Sequence, residues 1–266
     1  MIKRFLKDLA ERILNYKKYS EIKKLVTQPR YQSGKSTLFE TPFYYVDATT
    51  FYYGYVDIFL NEPYKFKSRR IDPLIIDCGA NIGLGTIYLK KQYPNSKVIA
   101  FEPDPTIFKT LEKNIEINNL TGVTLINKAV WVDNDTIDFE VEGGFSGRIN
   151  KYEGHSNIIK VGTQRLKDLL MQNISFLKVD IEGAEFEVIK DCSENLHFVE
   201  YLFIEYHSHI SETQKLGELL VILTKAGFRY HVKEAYTVKH PFVDKDVMLG
   251  MDLQLNIYAI NNNAGK

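Results

Sequence analysis

The segment Leu74-Ile75-Ile76-Asp77-Cys78-Gly79-Ala80-Asn81-Ile82-Gly83-Leu84-Gly85 constrains the fold more than any other stretch of the chain. Three apolar residues read as a short buried strand closed by an acid, Asp77. The glycines come next, where backbone must turn with positive φ or let a ligand approach closely. Thr86 to Lys91 then begins a helix whose N-terminus offers unpaired N–H groups. A second strand, Lys97-Val98-Ile99-Ala100-Phe101, ends in Glu102. Strand, glycine turn, helix, strand and acid in that order is the layout of a nucleotide-type cofactor site.

Glycine spacing narrows the choice of cofactor. A dinucleotide site uses G-x-G-x-x-G, whose second glycine admits a pyrophosphate. Here the pattern is Gly79-x-x-x-Gly83-x-Gly85, with Asp77 just before the turn. A carboxylate there repels a pyrophosphate and attracts a cationic ligand, such as the sulfonium and ammonium of S-adenosylmethionine. Glu102 suits both ribose hydroxyls in either class, and Pro103-Asp104-Pro105 turns the chain beside the adenosine. An NAD-dependent oxidoreductase is the alternative this spacing disfavours. A non-catalytic binding module that kept the cofactor fold is the other.

A chain of 266 residues fits one domain with an extension. Lys+Arg and Asp+Glu both total 34, so no global basic field draws in nucleic acid, and none is expected as partner. Cys78 and Cys192 make no disulfide framework, and both are expected reduced, in a cytoplasmic setting. No apolar run has the length of a membrane span. Charges at Lys3, Arg4, Lys7 and Asp8 break up the apolar core that a signal peptide needs.

Residues 1 to about 26 read as an amphipathic helix. Its basic residues Lys3, Arg4, Lys7, Arg12, Lys17, Lys18, Lys23 and Lys24 outnumber Asp8, Glu11 and Glu21. Such a helix has the make-up to touch a membrane surface or a partner; packing on its own domain is the favoured reading. Aromatics crowd the next segment, including Phe43, Tyr44, Tyr45, Phe51, Tyr52, Tyr53, Tyr55 and Tyr64. Residues 1–70 are therefore expected to form an N-terminal helix and an aromatic-rich cap. Residues 71–266 form the α/β domain, with an inserted hairpin at about 133–160.

From residue 71 strands alternate with helices, which implies a mostly parallel sheet with helices on both faces. Strands are expected at 74–77, 97–102, 123–127, 175–180, 201–205, 228–232 and 254–260. Helices are expected at 83–93, 105–119, 165–171, 183–191 and 211–226. Ligands of such sheets sit beyond the carboxyl ends of the strands. Those ends supply Asp77, Glu102, Asn127 to Ala129, Asp180 with Glu182, and Glu205 with His207. Glu185 and Glu187 read as solvated helix residues. His207 and the carboxylates have metal-binding chemistry, but without an HxxxH or cysteine pattern no metal set is assigned.

The blocks Asp77 to Gly83, Ala100-Phe101-Glu102-Pro103-Asp104 and Leu177 to Glu185 resemble the signature blocks of FkbM-type methyltransferases. The resemblance spans about residues 71–230. It implies a class I, Rossmann-like S-adenosylmethionine-dependent methyltransferase with a seven-stranded sheet. Such enzymes mostly methylate hydroxyls of sugars and polyketide-like products, so a small-molecule or glycan acceptor is expected. By position, Gly79, Ala80, Asn81 and Gly83 would line the methionine part with Asp77. Glu102 with Pro103 would hold the ribose, and Ala129 would lie at the adenine. A hydroxyl must lose its proton as it is methylated, and His207 is the expected base. Asp180 would orient it or the substrate, with Glu205 beside them. The aromatic segment and the 133–160 loop are the parts expected to choose the acceptor.

Overall fold

A computed structural model describes residues 16–141, 147–149, 158–243 and 250–263. The N-terminal helix, α1, is described over residues 16–27 and docks through Leu25, which is wholly buried. Its first residues, 1–15, lie outside the described part, as does most of the loop around Gly143-Gly144. A small hairpin follows, β1 (Gly34–Ser36) with β2 (Phe43–Tyr45), then α2 (Ala48–Tyr55). The Asp47 side chain caps α2 by accepting from the Thr50 N–H at 2.9 Å. A π-type turn, Val56–Leu60, continues the helix.

The α/β core comprises β3 (Leu74–Cys78), α3 (Leu84–Gln92), β4 (Lys97–Phe101), α4 (Pro105–Ile117) and β5 (Val123–Ile126). Beyond them come β6 (Ala129–Trp131), β7 (Thr136–Val141), β8 (Gly147–Ile149), β9 (Ile158–Arg165), β10 (Ile174–Val179), α5 (Glu185–Asp191) and β11 (Val199–His209). The chain finishes with α6 (Leu216–Lys225), β12 (Arg229–Thr237) and β13 (Met251–Ile260). The main sheet has seven strands in the order β12-β13-β11-β10-β3-β4-β5, with β13 antiparallel to both its neighbours. The chain runs outward from β3 through β4 to β5, then returns to place β10 on the other side of β3. That reversal opens a crevice at the carboxyl ends of β3 and β10, the position where such sheets hold ligands.

Two apolar layers cover the sheet. One packs Ile76, Leu177, Val179, Leu202 and Ile204 against α5 and α6. The other packs Ile75, Val98, Phe176 and Phe203 against α3, α4 and the N-terminal segment. Most of the N-terminal aromatics belong to this second layer: Phe43, Tyr45 and Phe51 are at most 2% exposed, and Phe39, Tyr55 and Phe59 interlock edge to face or stacked. Burial of such rings is worth several kcal/mol each by area. The segment is thus chiefly core, not a stacking surface; Tyr44 itself sits beneath Lys113, whose Nζ is 3.5 Å from the ring centroid.

Three elements differ from the sequence reading. The helix expected at 165–171 is a single 3₁₀ turn, Leu166–Leu169, and the helix expected from 211 begins only at Leu216. Strand β11 is longer than expected. Its parallel pairing with β10 ends at Ile204, yet it continues to His209 because β13 supplies an antiparallel partner. Glu205 and His207 therefore stand inside a strand that projects beyond the parallel sheet, and are not on a loop past its tip.

The second, smaller sheet has the order β6-β9-β7-β8. It holds its own apolar cluster of Ala129, Phe139 and Val161 and leans over the carboxyl end of β4.

Candidate active site

The turn after β3 is held by its neighbour strand. The N–H groups of Gly79 and Ala80 both donate to the Phe101 carbonyl, at 3.1 and 2.8 Å. Gly79 has φ +85°, and a Cβ there would lie 1.9 Å from the Asp180 carbonyl oxygen. Only glycine lets the first turn pass against the second. Gly83, at φ +95°, ends the turn as the N-cap of α3. Asn81 (φ +49°) and Glu182 (φ +56°) are left-handed residues in the turns after β3 and β10. Non-glycine residues held in that region carry strain of the kind that gathers at ligand sites.

Glu102 anchors the first turn from β4. Its Oε2 accepts from the Asn81 N–H at 3.0 Å and its Oε1 from the Asp104 N–H at 2.9 Å. Burial pushes its pKa up to about 8, and those two N–H donors only partly offset the desolvation. Glu102 borders a cleft of about 580 Å³ lined by Gly79, Asn81, Phe101, Pro103, Ile107, Lys128, Ala129, Val130, Phe139, Asp180 and Glu182. An acid beside a slot of flat apolar walls fits a ribose and its purine. The expected cofactor residues Gly79, Asn81, Glu102, Pro103 and Ala129 thus meet in one place. Phe139 enters the same slot, so the described part of the inserted hairpin borders it as well.

A second cleft adjoins it on the other side of the Gly79 turn, about 1070 Å³ including its open mouth. Its floor holds Asp77, Ala80, Gly85, Lys178, Asp180, Glu182, Glu205 and Gln254, and α2 with its π turn supplies Thr50, Tyr53, Gly54, Asp57 and Ile58 as a wall. Among the expected acceptor tyrosines, Tyr53 lines this cleft, 64% exposed, whereas Tyr45 and Tyr55 are buried.

Asp77 does not stand open to a cation as its position in the sequence implied. It is wholly buried; Thr86 donates to its Oδ2 at 2.6 Å, and Lys178 Nζ lies 3.4 Å from Oδ1. Lys178 is the residue the sequence reading missed. It sits beside Asp77 in register across β3 and β10, reaches Asp180 at 3.1 Å, and donates to the Gly79 carbonyl at 2.9 Å. Burial works against its charge, but Asp180 and Asp77 outweigh it and hold its pKa well above that of a free lysine. One buried cation therefore ties the cofactor turn to the acceptor side. A lysine flanked by Leu177 and Val179 in a central parallel strand is itself a signal, because such strands are buried on both faces.

Glu185 is a second correction. It is 1% exposed, not solvated, and its carboxylate accepts from the N–H groups of Ile181 and Gly183, at 3.1 and 3.0 Å, like a capping box. The same carboxylate meets His207 Nδ1 at 3.0 Å, while His207 Nε2 faces Glu182 at 3.5 Å. Burial would lower the His207 pKa, but Glu182 and Glu185, with Glu205 behind them, carry it well above the usual imidazole value. Clamped between Glu185 and Glu182 and outside the lining of the second cleft, His207 does not stand open to an acceptor there as the base that the sequence suggested would. It lines a neighbouring cavity with Gly183, Tyr206 and His209, whereas Asp180 and Glu205 face the second cleft. Desolvation, and then the nearby Asp180, push Glu205 up to about 8; Gln254 donates to it.

Comparison with known proteins agrees with this geometry. Residues 77–230, more than half of the chain, match the family model of the methyltransferase FkbM domain. The chain belongs to the FkbM methyltransferase family. Methyltransferase 1 of Beauveria bassiana is 30% identical over 163 residues, covering 52% of this chain and 66% of that protein. The 2-O-methyltransferase NoeI of Sinorhizobium fredii is 28% identical over 156 residues, covering 51% and 63%. The hexuronic acid methyltransferase AglP of Haloferax volcanii is 27% identical over 142 residues, covering 52% and 58%. The chain thus matches a little under two thirds of these relatives' own length. The cofactor of this family is S-adenosylmethionine, and the turn and slot fit it. Gly79 passes where no Cβ can, and Glu102 borders the slot beside that turn. No described helix is long and apolar enough to cross a membrane.

Proposed function

We propose that this FkbM-family chain is an S-adenosylmethionine-dependent O-methyltransferase whose acceptor is a hydroxyl of a sugar, glycan or glycosylated natural product. The observation that carries the reading is the second cleft, where Asp57, Asp180, Glu205 and Gln254 offer hydrogen-bond acceptors beside the exposed ring of Tyr53. Several hydroxyls in one ligand are matched by that many acceptors, and an aromatic face suits the C–H face of a pyranose. The names of two relatives, a 2-O-methyltransferase and a hexuronic acid methyltransferase, support the same class.

Glu102, Pro103, Ala129 and Phe139 would hold the nucleoside of the cofactor and Gly79 to Gly83 its methionine end, with buried Asp77 fixing that turn's base through Thr86 and Lys178. Bound there, the cofactor supplies an activated methyl group on a sulfonium. The protein's own task is to align the acceptor and take its proton. Several carboxylates line the cleft, and Glu205, whose pKa of about 8 makes its ionised form a stronger base than an ordinary carboxylate, is our assignment for the group that receives that proton. Asp180, tethered by Lys178, orients the hydroxyl. His207, fixed by Glu185, positions Glu182 and the wall of the site. Residues 16–70 act as the acceptor-side cap through Tyr53 and Asp57.

A labelled-methyl screen tests the reading, with nucleotide sugars, oligosaccharides, hydroxylated natural products, transfer RNA and protein as acceptors. Label in a carbohydrate or glycosylated product is expected. Label confined to nucleic acid or protein would overturn it. Parallel titration with S-adenosylhomocysteine and NAD separates it from the oxidoreductase alternative; binding of NAD alone would refute it.

A further inference from the structure

We infer that Asp180, Glu182 and His207 form a site for a divalent cation of the Mn²⁺ or Mg²⁺ type at the floor of the acceptor cleft. One ligand atom from each of the three lies within 4.8 Å of the others. Three atoms no farther apart than that share a point within about 2.8 Å of all of them, so shifts of roughly half an ångström reach the 2.0–2.6 Å of metal bonds.

The histidine separates this set from an ordinary cluster of acids. Its side chain is 2% exposed, and Glu185 fixes Nδ1 at 3.0 Å. A carboxylate on one ring nitrogen aims the other, which is how metal-bound imidazoles are held. Nε2 here points toward Glu182, at 3.5 Å, beside the Gln254 side-chain amide at 3.3 Å, which would turn aside for a metal. Asp180 is fixed in the same way, because Lys178 at 3.1 Å pins one of its oxygens. Two carboxylates and one imidazole with an open side suit Mn²⁺ or Mg²⁺ better than a thiolate-loving metal.

Asp180 and Glu182 also line the acceptor cleft, so the open side of the cation faces the acceptor. A hydroxyl oxygen placed there would be polarised, its O–H bond breaking with the proton passing to the Glu205 carboxylate and the oxygen keeping the electron pair. This catalytic part rests on the hydroxyl-acceptor reading; the cation site itself does not.

Mn²⁺ titration of the full chain without acceptor, read by electron paramagnetic resonance, tests the site. One ion per chain is expected, with Kd on the order of 10–100 µM, and a nitrogen coupling from one imidazole in the spin-echo spectrum. D180N and E182Q should each weaken binding at least about tenfold without moving the thermal midpoint by more than a few degrees. D57N, which changes an acid of the same cleft outside the set, should leave Mn²⁺ affinity unchanged. His207→Gln should remove the nitrogen coupling; should that buried variant fail to fold, the wild-type coupling and the two carboxylate variants decide. No bound Mn²⁺ at 1 mM, or wild-type affinity in both D180N and E182Q (an adventitious ion only), would overturn the site. Methyl transfer to a hydroxyl by metal-free enzyme at the full rate would overturn its catalytic part and leave the proposed function standing.

Discussion

Replacing Lys178 with methionine removes the one cation that Asp77 touches while keeping most of the side-chain volume. Lys178 is 4% exposed, lies 3.4 Å from Asp77 and 3.1 Å from Asp180, and donates to the Gly79 carbonyl at 2.9 Å. Asp77, wholly buried, would keep only the Thr86 hydroxyl. An exposed ion pair would be worth about 0–1 kcal/mol. Breaking a buried one leaves an uncompensated charge and costs about 3–5 kcal/mol. For a chain of this size each kcal/mol lowers the unfolding midpoint by roughly 2–4 °C, so a fall of about 6–20 °C is expected. The double variant Asp77→Asn with Lys178→Met removes the orphaned charge and should recover at least about half of the loss. Thermal unfolding followed by circular dichroism measures both. A single variant within about 2 °C of wild type, or a double variant no better than the single, would refute the account of Lys178 as the buried tie between the two clefts.

Gly79→Ala should abolish measurable S-adenosylhomocysteine binding in calorimetry, because its Cβ would meet the Asp180 carbonyl at 1.9 Å with φ at +85°; affinity within tenfold of wild type would contradict the turn's role. Burial raises Glu102 from 4.5 to about 8, so the folded chain keeps a proton that the unfolded chain releases. The stability this adds is full below pH 4.5 and is lost as pH rises through about 8, and Glu102→Gln should flatten that slope in urea unfolding at pH 6 and pH 9. An unchanged slope would assign it to another group. Tyr53→Ala should raise the acceptor KM about five- to tenfold and leave the S-adenosylhomocysteine Kd unaltered, whereas Tyr45→Ala, in the core, should cost about 3–5 kcal/mol of stability. Equal effects of the two on KM would deny Tyr53 its place at the acceptor.

The parts of the site that were legible in the sequence are those written in consecutive residues. The apolar run of β3, the glycines after it and Glu102 after β4 announce a cofactor turn because each device lies within a few positions of the next. Lys178, Glu185 and the true setting of His207 depend on pairings that the chain makes later. Lys178 acquires its meaning from Asp77 in the neighbouring strand, a hundred or so positions earlier. Glu185 reads as a solvated helix residue until β11 is extended past β10 and brings His207 against it. That extension in turn needs β13, which joins from the far end of the chain. The aromatic segment left the choice between packing and ligand contact open for a related reason: composition gives the number of rings, but only packing decides which of them face solvent.

The wall formed by α2 has a consequence for descent. Helical periodicity sends Thr50, Tyr53, Gly54 and Asp57 to the cleft, while Phe51, Tyr55 and Phe59 root the same segment in the core. On the proposed reading of the second cleft, substitutions on the first set would alter which acceptor fits without disturbing the anchorage or the slot beside Glu102, which is built from other strands. Selectivity and architecture are thereby inherited on separate letters of one short stretch. A lineage can exchange the wall as a cassette and keep the floor, which gives one methyl-transferring scaffold access to many acceptors.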